Sequence, residues 1–118
     1  YFTVSQIEKF YSVFFPKWKK EAYYELLKKL QVLPSQKLST MSCGQRSQVA
    51  LGLLFAQDPE LLILDEPLHG LDMRNRRLVK DVIEAFCARK DKTLIMVTHY
   101  QEELPAAITN SLFLKRNK

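Results

Sequence analysis

Along the first third of the chain, apolar side chains recur three and four residues apart, the spacing of amphipathic helices. In "TVSQIEKFYSVFF", Val4, Ile7, Tyr11 and Phe14 fall on one helical face. Either Thr3 with Gln6 or Ser5 with Glu8 can supply a capping box. Pro16 ends this helix or lies just beyond it. "KKEAYYELLKKLQVL" places Tyr23, Leu26, Leu27 and Leu30 on one side and lysines on the other, and Pro34, Ser35 and Gln36 mark a turn.

The pattern then alternates. "SCGQRSQVALGLLFAQ" reads as a helix with Ser42 at the N-cap and Gln45 at the third helical position, stopped by Asp58-Pro59. "LLILD" is a short continuous apolar run, as expected of a parallel strand buried on both faces. "MRNRRLVKDVIEAFCARK" is amphipathic, with Leu78, Val82, Ile83 and Phe86 expected to face inward. "TLIMVTH" reads as a second buried strand, "EELPAAI" as a short helix or turn, and "SLFLK" as a last short strand. Helices alternating with strands predict an α/β layer on a parallel sheet.

Composition narrows the class. A chain of 118 residues with 47% apolar residues suits one folded domain with a real core. The net charge of +5 permits acidic partners, but much of the excess sits in "PKWKKEAYYELLKK", where lysines form the wet face of a helix. Cys43 and Cys87 show no metal-ligand spacing and point to a reducing compartment. No apolar run approaches the roughly 18 residues of a bilayer span.

Three places carry candidate chemistry. Asp65 and Glu66 end the first strand side by side. Adjacent strand residues point to opposite faces, so separate roles fit better than a shared proton: Asp65 for magnesium through water, Glu66 for orienting or deprotonating an attacking water. Ser42, Gly44 and Gln45 open a helix whose first amides lack internal partners, a setting suited to an anion. His99 follows the second strand, at the end where α/β folds gather ligands.

The order in which these elements occur closely resembles the C-terminal half of the nucleotide-binding domain of ATP-binding cassette (ABC) ATPases, over residues 38–114. "MSCGQRSQVAL" is similar to the signature motif and its helix, "LLILDEP" to Walker B with its catalytic glutamate, "HGLD" to the D-loop, and "TLIMVTH" to the strand before the switch histidine. The resemblance implies a P-loop NTPase-type three-layer α/β fold, present in part. Residues 1–57 would form the helical subdomain ending in the signature helix, and residues 58–118 the C-terminal part of the RecA-like core. It implies ATP and Mg2+ as cofactors, with Asp65 supporting the metal, Glu66 as general base, and His99 contacting the γ-phosphate and the water. Ser42, Gly44 and Gln45 would contact ATP bound to a second, head-to-tail subunit, and Asp72 would couple the two sites. A transmembrane permease would be the other partner, placing the protein in the cytoplasm at the inner face of the membrane, with no nucleic acid expected. Two other readings stand beside this one: a soluble ABC ATPase acting on nucleic acid or ribosomes, and a non-catalytic half-domain completing another chain's ATP site.

Some positions depart from the family pattern. Met41 stands where leucine is usual, Cys43 where the signature has its first glycine, His69 is uncommon in the D-loop, and Leu53 stands where arginine is frequent. The larger departure is that Gly44, Gly52 and Gly70 are the only glycines and none precedes a lysine, so these 118 residues hold no G-x-x-x-x-G-K-[ST] loop. The chain is therefore expected to be part of a longer product and to hydrolyse no ATP by itself. In this fold the P-loop strand sits beside "TLIMVTH"; without it that strand becomes an apolar edge prone to aggregation. The isolated chain is expected to be poorly soluble, which sedimentation and a reversible-unfolding test would check.

Overall fold

The computed structural model describes residues 2–106, so "SLFLK" and the end of "EELPAAI" lie outside the described residues. Three helices come first: α1 (Val4–Ser12), α2 (Lys20–Lys29) and α3 (Cys43–Ala56). A βαβ unit follows, made of β1 (Leu61–Asp65), α4 (Met73–Cys87) and β2 (Thr93–Val97). The two strands are parallel, with Leu61 opposite Thr93 and Asp65 opposite Val97. Single 3-10 turns at Leu38–Thr40 and Gln101–Glu103 complete the described chain.

Local chemistry sets the helix starts. The Thr3 hydroxyl accepts from Gln6 N while the side-chain oxygen Oε1 of Gln6 accepts from Thr3 N, so the first of the two proposed capping boxes is the one formed. α1 ends at Ser12, and Val13 caps it. Phe14 therefore falls outside the helical period and is 63% exposed, against the inward position expected for it. The inward position on that face belongs to Glu8. Its carboxylate is buried and accepts from Trp18 Nε1 at 2.7 Å and the Tyr24 hydroxyl at 3.2 Å. Nothing in the residue type announced this, because a glutamate on a short helix reads as solvent-facing.

Tyr23, Leu26, Leu27 and Leu30 are buried, as the spacing predicted. The Tyr23 hydroxyl donates to the Val4 carbonyl at 2.8 Å, tying α2 to the start of α1. Burial raises its pKa, as do the neighbouring Tyr24 and Glu8. Gly52 brings α3 close to the same ring: a Cβ there would stand 3.2 Å from Tyr23 Cδ1. One continuous core runs from Val4, Tyr23 and Leu27 through Val49 to Leu62, Leu64, Val79 and Ile83. On α4, Ile83 and Phe86 are buried as expected and Leu78 and Val82 are half-buried against the core, but the deepest position on its first turns is Val79.

The strands depart from expectation. Both were expected to be buried on two faces, yet β1 buries only Leu62 and Leu64, leaving Ile63 61% and Leu61 50% exposed. On β2, Ile95 and Val97 are exposed on alternate positions as well. Parallel sheets in α/β proteins are normally covered on both faces. Here the described helices cover one, and among the described residues nothing covers Leu61, Ile63, Ile95 and Val97 on the strands.

At the N-terminal end of the sheet, Asp58 gathers the loops. Its backbone has φ of 50°, and its Oδ1 accepts from Arg89 Nη1 at 2.6 Å and faces Lys92 Nζ at 3.2 Å. The Lys92 side chain is 1% exposed, lies over the Phe86 ring, and also donates to the Asp58 carbonyl. The Arg89 hydrogen bond, more than any other cause, holds the Asp58 carboxyl below the usual range. A carboxyl lowered in the folded state adds stability above its unfolded pKa of about 3.9, and that contribution disappears as pH falls through the folded value. Asn tolerates the left-handed backbone, so Asp58→Asn isolates the charge. We expect it to melt below the parent protein at pH 7, with the gap closing as pH is lowered beneath about 4; melting curves across that range check this.

Candidate functional site

Residues at the C-terminal ends of the two strands converge. Asp65 is the last residue of β1 and is exposed. Glu66 leaves the strand with φ of 50°, a left-handed conformation uncommon for a residue with a side chain. Its N–H still donates to the Val97 carbonyl at 2.8 Å, extending the ladder by one bond. The chain turns at once, since His69 N donates to the Glu66 carbonyl at 3.1 Å. This elbow directs the Glu66 side chain toward His99, whose Nε2 lies 3.3 Å from Glu66 Oε1. That oxygen is shielded from solvent and makes no hydrogen bond among the described residues. An ion pair exists there only when His99 is protonated. The His99 side chain itself is 83% exposed.

The loop after Glu66 is anchored through its apolar residues. Leu68 and Leu71 are buried, while His69 and Gly70 between them are exposed. Gly70 has φ of 78°, which favours glycine. Asp72 then serves as N-cap of α4, its Oδ1 accepting from Asn75 N at 2.8 Å. This capping role has a sequence signal of its own, an Asp immediately before an amphipathic run.

Ser42, Gly44 and Gln45 form a second group. Ser42 Oγ accepts from Gln45 N at 3.2 Å, and Gln45 Oε1 accepts from Ser42 N at 3.3 Å, the capping box expected of this stretch. The box leaves the Ser42 hydroxyl proton and the Gln45 side-chain amide N–H groups free to donate outward. The first-turn amides of Cys43 and Gly44 have no acceptor within the helix. Arg46 reaches back to the Leu38 carbonyl at 3.1 Å and steadies the turn before α3. A Cβ on Gly44 would stand 3.7 Å from the Gly70 carbonyl, so the start of α3 lies beside the Gly-Leu-Asp loop. The structure thus brings Glu66 to His99 and Gly44 to Gly70, with the segment from Glu66 to Asp72 joining the two groups.

No group of three or more His, Cys, Asp or Glu residues suited to a metal occurs among the described residues. Asp65 offers one exposed carboxylate. That suits magnesium, which retains waters and takes one or two carboxylates together with substrate phosphates. It does not suit a closed, all-protein metal cage. A cleft of about 690 Å³ opens between α4 and the turn after β2, lined by Arg76, Arg77, Lys80 and Tyr100 among others. Asp65, Glu66 and His99 do not line it.

The described residues thus form an α/β unit in which a capped helix start lies beside the loop after β1 and a carboxylate-histidine pair stands at the strand ends. Known structures agree. A provisionally named cobalt transport ATP-binding protein superposes with a TM-score of 0.67 at 28% identity, over 85% of this chain and 38% of that one. A bacterial ABC transporter cassette solved as a dimer gives a TM-score of 0.60 at 22% identity, over 86% and 48%. The family profile described as ABC transporter matches residues 2–69. The ABC transporter ATP-binding protein ModF of Escherichia coli is 37% identical over 73 residues, which cover 62% of this chain and 15% of ModF. The energy-coupling factor transporter ATP-binding protein EcfA2 of Bacillus subtilis is 42% identical over 66 residues, covering 56% and 24%. The chain belongs to the ABC transporter family, with the P-loop NTPase-type fold expected of it, and matches only a minor part of the length of these relatives.

Capping and any role of Asp72 across a dimer can be separated. Asp72→Ala should lower stability by about 1 kcal/mol through the lost cap, whereas Asp72→Asn should keep it. Chemical denaturation of both variants checks the difference.

Proposed function

We propose that this chain is the C-terminal half of the nucleotide-binding domain in an ATP-hydrolysing subunit of an ABC transporter. The single observation that supports this most is the Glu66 elbow, which turns a carboxylate from the end of β1 to within 3.3 Å of the histidine after β2. In this reading Glu66 orients and deprotonates the attacking water, and His99 contacts that water and the γ-phosphate. Asp65 holds the magnesium that accompanies the nucleotide, which neutralises charge on its phosphates. Ser42, Gly44 and Gln45 donate to the γ-phosphate of ATP carried by a second subunit, and Asp72 adjoins the same interface. Residues 1–57 act as the helical subdomain and 58–118 as the end of the ATPase core. The partners are a second ATP-binding subunit and a transmembrane permease, and the location is the cytoplasmic face of the membrane. The phosphate-cradling loop comes from outside these 118 residues, so they alone hydrolyse no ATP.

The test uses the full natural product containing this chain. Glu66→Gln should reduce ATP hydrolysis on the order of a hundredfold or more while ATP still binds. Hydrolysis at the parental rate in Glu66→Gln would sink the proposal.

A further inference from the structure

His99 poses a mechanical question. Its side chain is 83% exposed, so packing does little to hold it. Its position must come from the backbone on either side, and that backbone is bracketed by hydrogen bonds. Thr98 Oγ1 accepts from Tyr100 N at 3.2 Å, a side-chain turn that spans His99. The same Oγ1 lies 2.6 Å from Glu103 Oε1.

A hydroxyl has one proton to donate, and a carboxylate only accepts. The Thr98 proton therefore points at Glu103, in a short charge-assisted bond. With the proton so placed, an oxygen lone pair is left for Tyr100 N. The competing acceptor for that proton, the Tyr100 carbonyl at 3.5 Å, is much the weaker geometry. Glu103 thus sets the rotor of Thr98, and Thr98 sets the chain on both sides of His99.

Glu103 is itself held. It ends the 3-10 turn Gln101–Glu103, whose N–H donates to the Tyr100 carbonyl at 3.1 Å. α4 grips the turn from outside: Lys80 Nζ donates to the Glu102 carbonyl at 2.8 Å, and Glu84 Oε1 accepts from Ala106 N at 3.3 Å. The bracket around His99 is consequently referenced to a rigid helix rather than to a free loop.

We propose that Glu103 is a positioning residue for the hydrolytic reaction, acting through the Thr98 hydroxyl to hold His99 against Glu66. This rests on the reading of His99 given above. Glu103 touches neither nucleotide nor water; its effect reaches the reaction only through the placement of the imidazole.

ATP hydrolysis by the full natural product containing this chain tests the inference. Glu103→Ala and Thr98→Val should each lower kcat about tenfold or more with KM for ATP unchanged. Glu103→Gln, which keeps an acceptor oxygen, and Thr98→Ser, which keeps the hydroxyl, should recover most of the loss. In a His99→Ala background, Glu103→Ala should add nothing. Thr98→Val preserves volume and carries the test if Glu103→Ala does not fold. A fully active Glu103→Ala beside an impaired His99→Ala overturns this inference alone, as do additive losses in the double variant. A His99→Ala variant at the parental rate overturns the reading of His99 and this inference with it.

Discussion

The register of the two-stranded parallel ladder is the constraint on which the site depends. Pairing Asp65 with Val97 brings the C-terminal ends of β1 and β2 level, and the bond from Glu66 N to the Val97 carbonyl carries that alignment one residue further. A slip of one residue would move Leu62 and Leu64 from the core to solvent. The same slip would part Glu66 from His99. The hydrophobic requirement that fixes the strands therefore also brings the backbones of Glu66 and His99 to the same level, and the hydrogen bonds of Thr98 to Glu103 and Tyr100 bracket the histidine beyond the strand.

The opposite end of the ladder is pinned electrostatically. Asp58 binds Arg89 and the buried Lys92, so the loops entering β1 and β2 are held together before the strands begin. A buried lysine without a carboxylate would be costly, which makes this clamp specific to one arrangement of the two loops. α4 then links the remaining parts: Asp72 caps its start at the end of the Gly-Leu-Asp loop, and Lys80 and Glu84 hold the turn beyond His99. The loop at one end of the helix and the histidine loop along its side share one rigid support.

Legibility in the sequence followed the range of the interaction. The capping box at Ser42-Gln45 was readable because its partners sit three residues apart, whereas the same spacing offered both Thr3-Gln6 and Ser5-Glu8, of which the structure forms the first. The buried face of α2 was readable from its period. Phe14 was misplaced because the periodicity continues past the point where the backbone leaves the helix. Glu8 was missed because its burial depends on Trp18 and Tyr24, ten and sixteen residues away, both donating to it. The strands were read as buried on two faces from composition alone, and composition cannot say whether the second cover lies within these residues. Asp65, Glu66 and His99 could be nominated from their place at strand ends, whereas Thr98, Glu103 and Lys80 carried no pattern that sets them apart from ordinary turn and surface residues.

By itself, the sequence determined the order of the described helices and strands, the capped start of α3, the family resemblance and the lack of a phosphate-cradling loop within these residues. Each rests on contacts between near neighbours or on residue identity. Only the tertiary structure decided that Glu66 turns through a left-handed elbow toward His99, that α3 begins beside Gly70, that Asp58 clamps two loops, and that among the described residues Leu61, Ile63, Ile95 and Val97 of the strands are exposed. These depend on register and on packing between distant segments, whose free energies come from contacts that no local stretch of chain encodes.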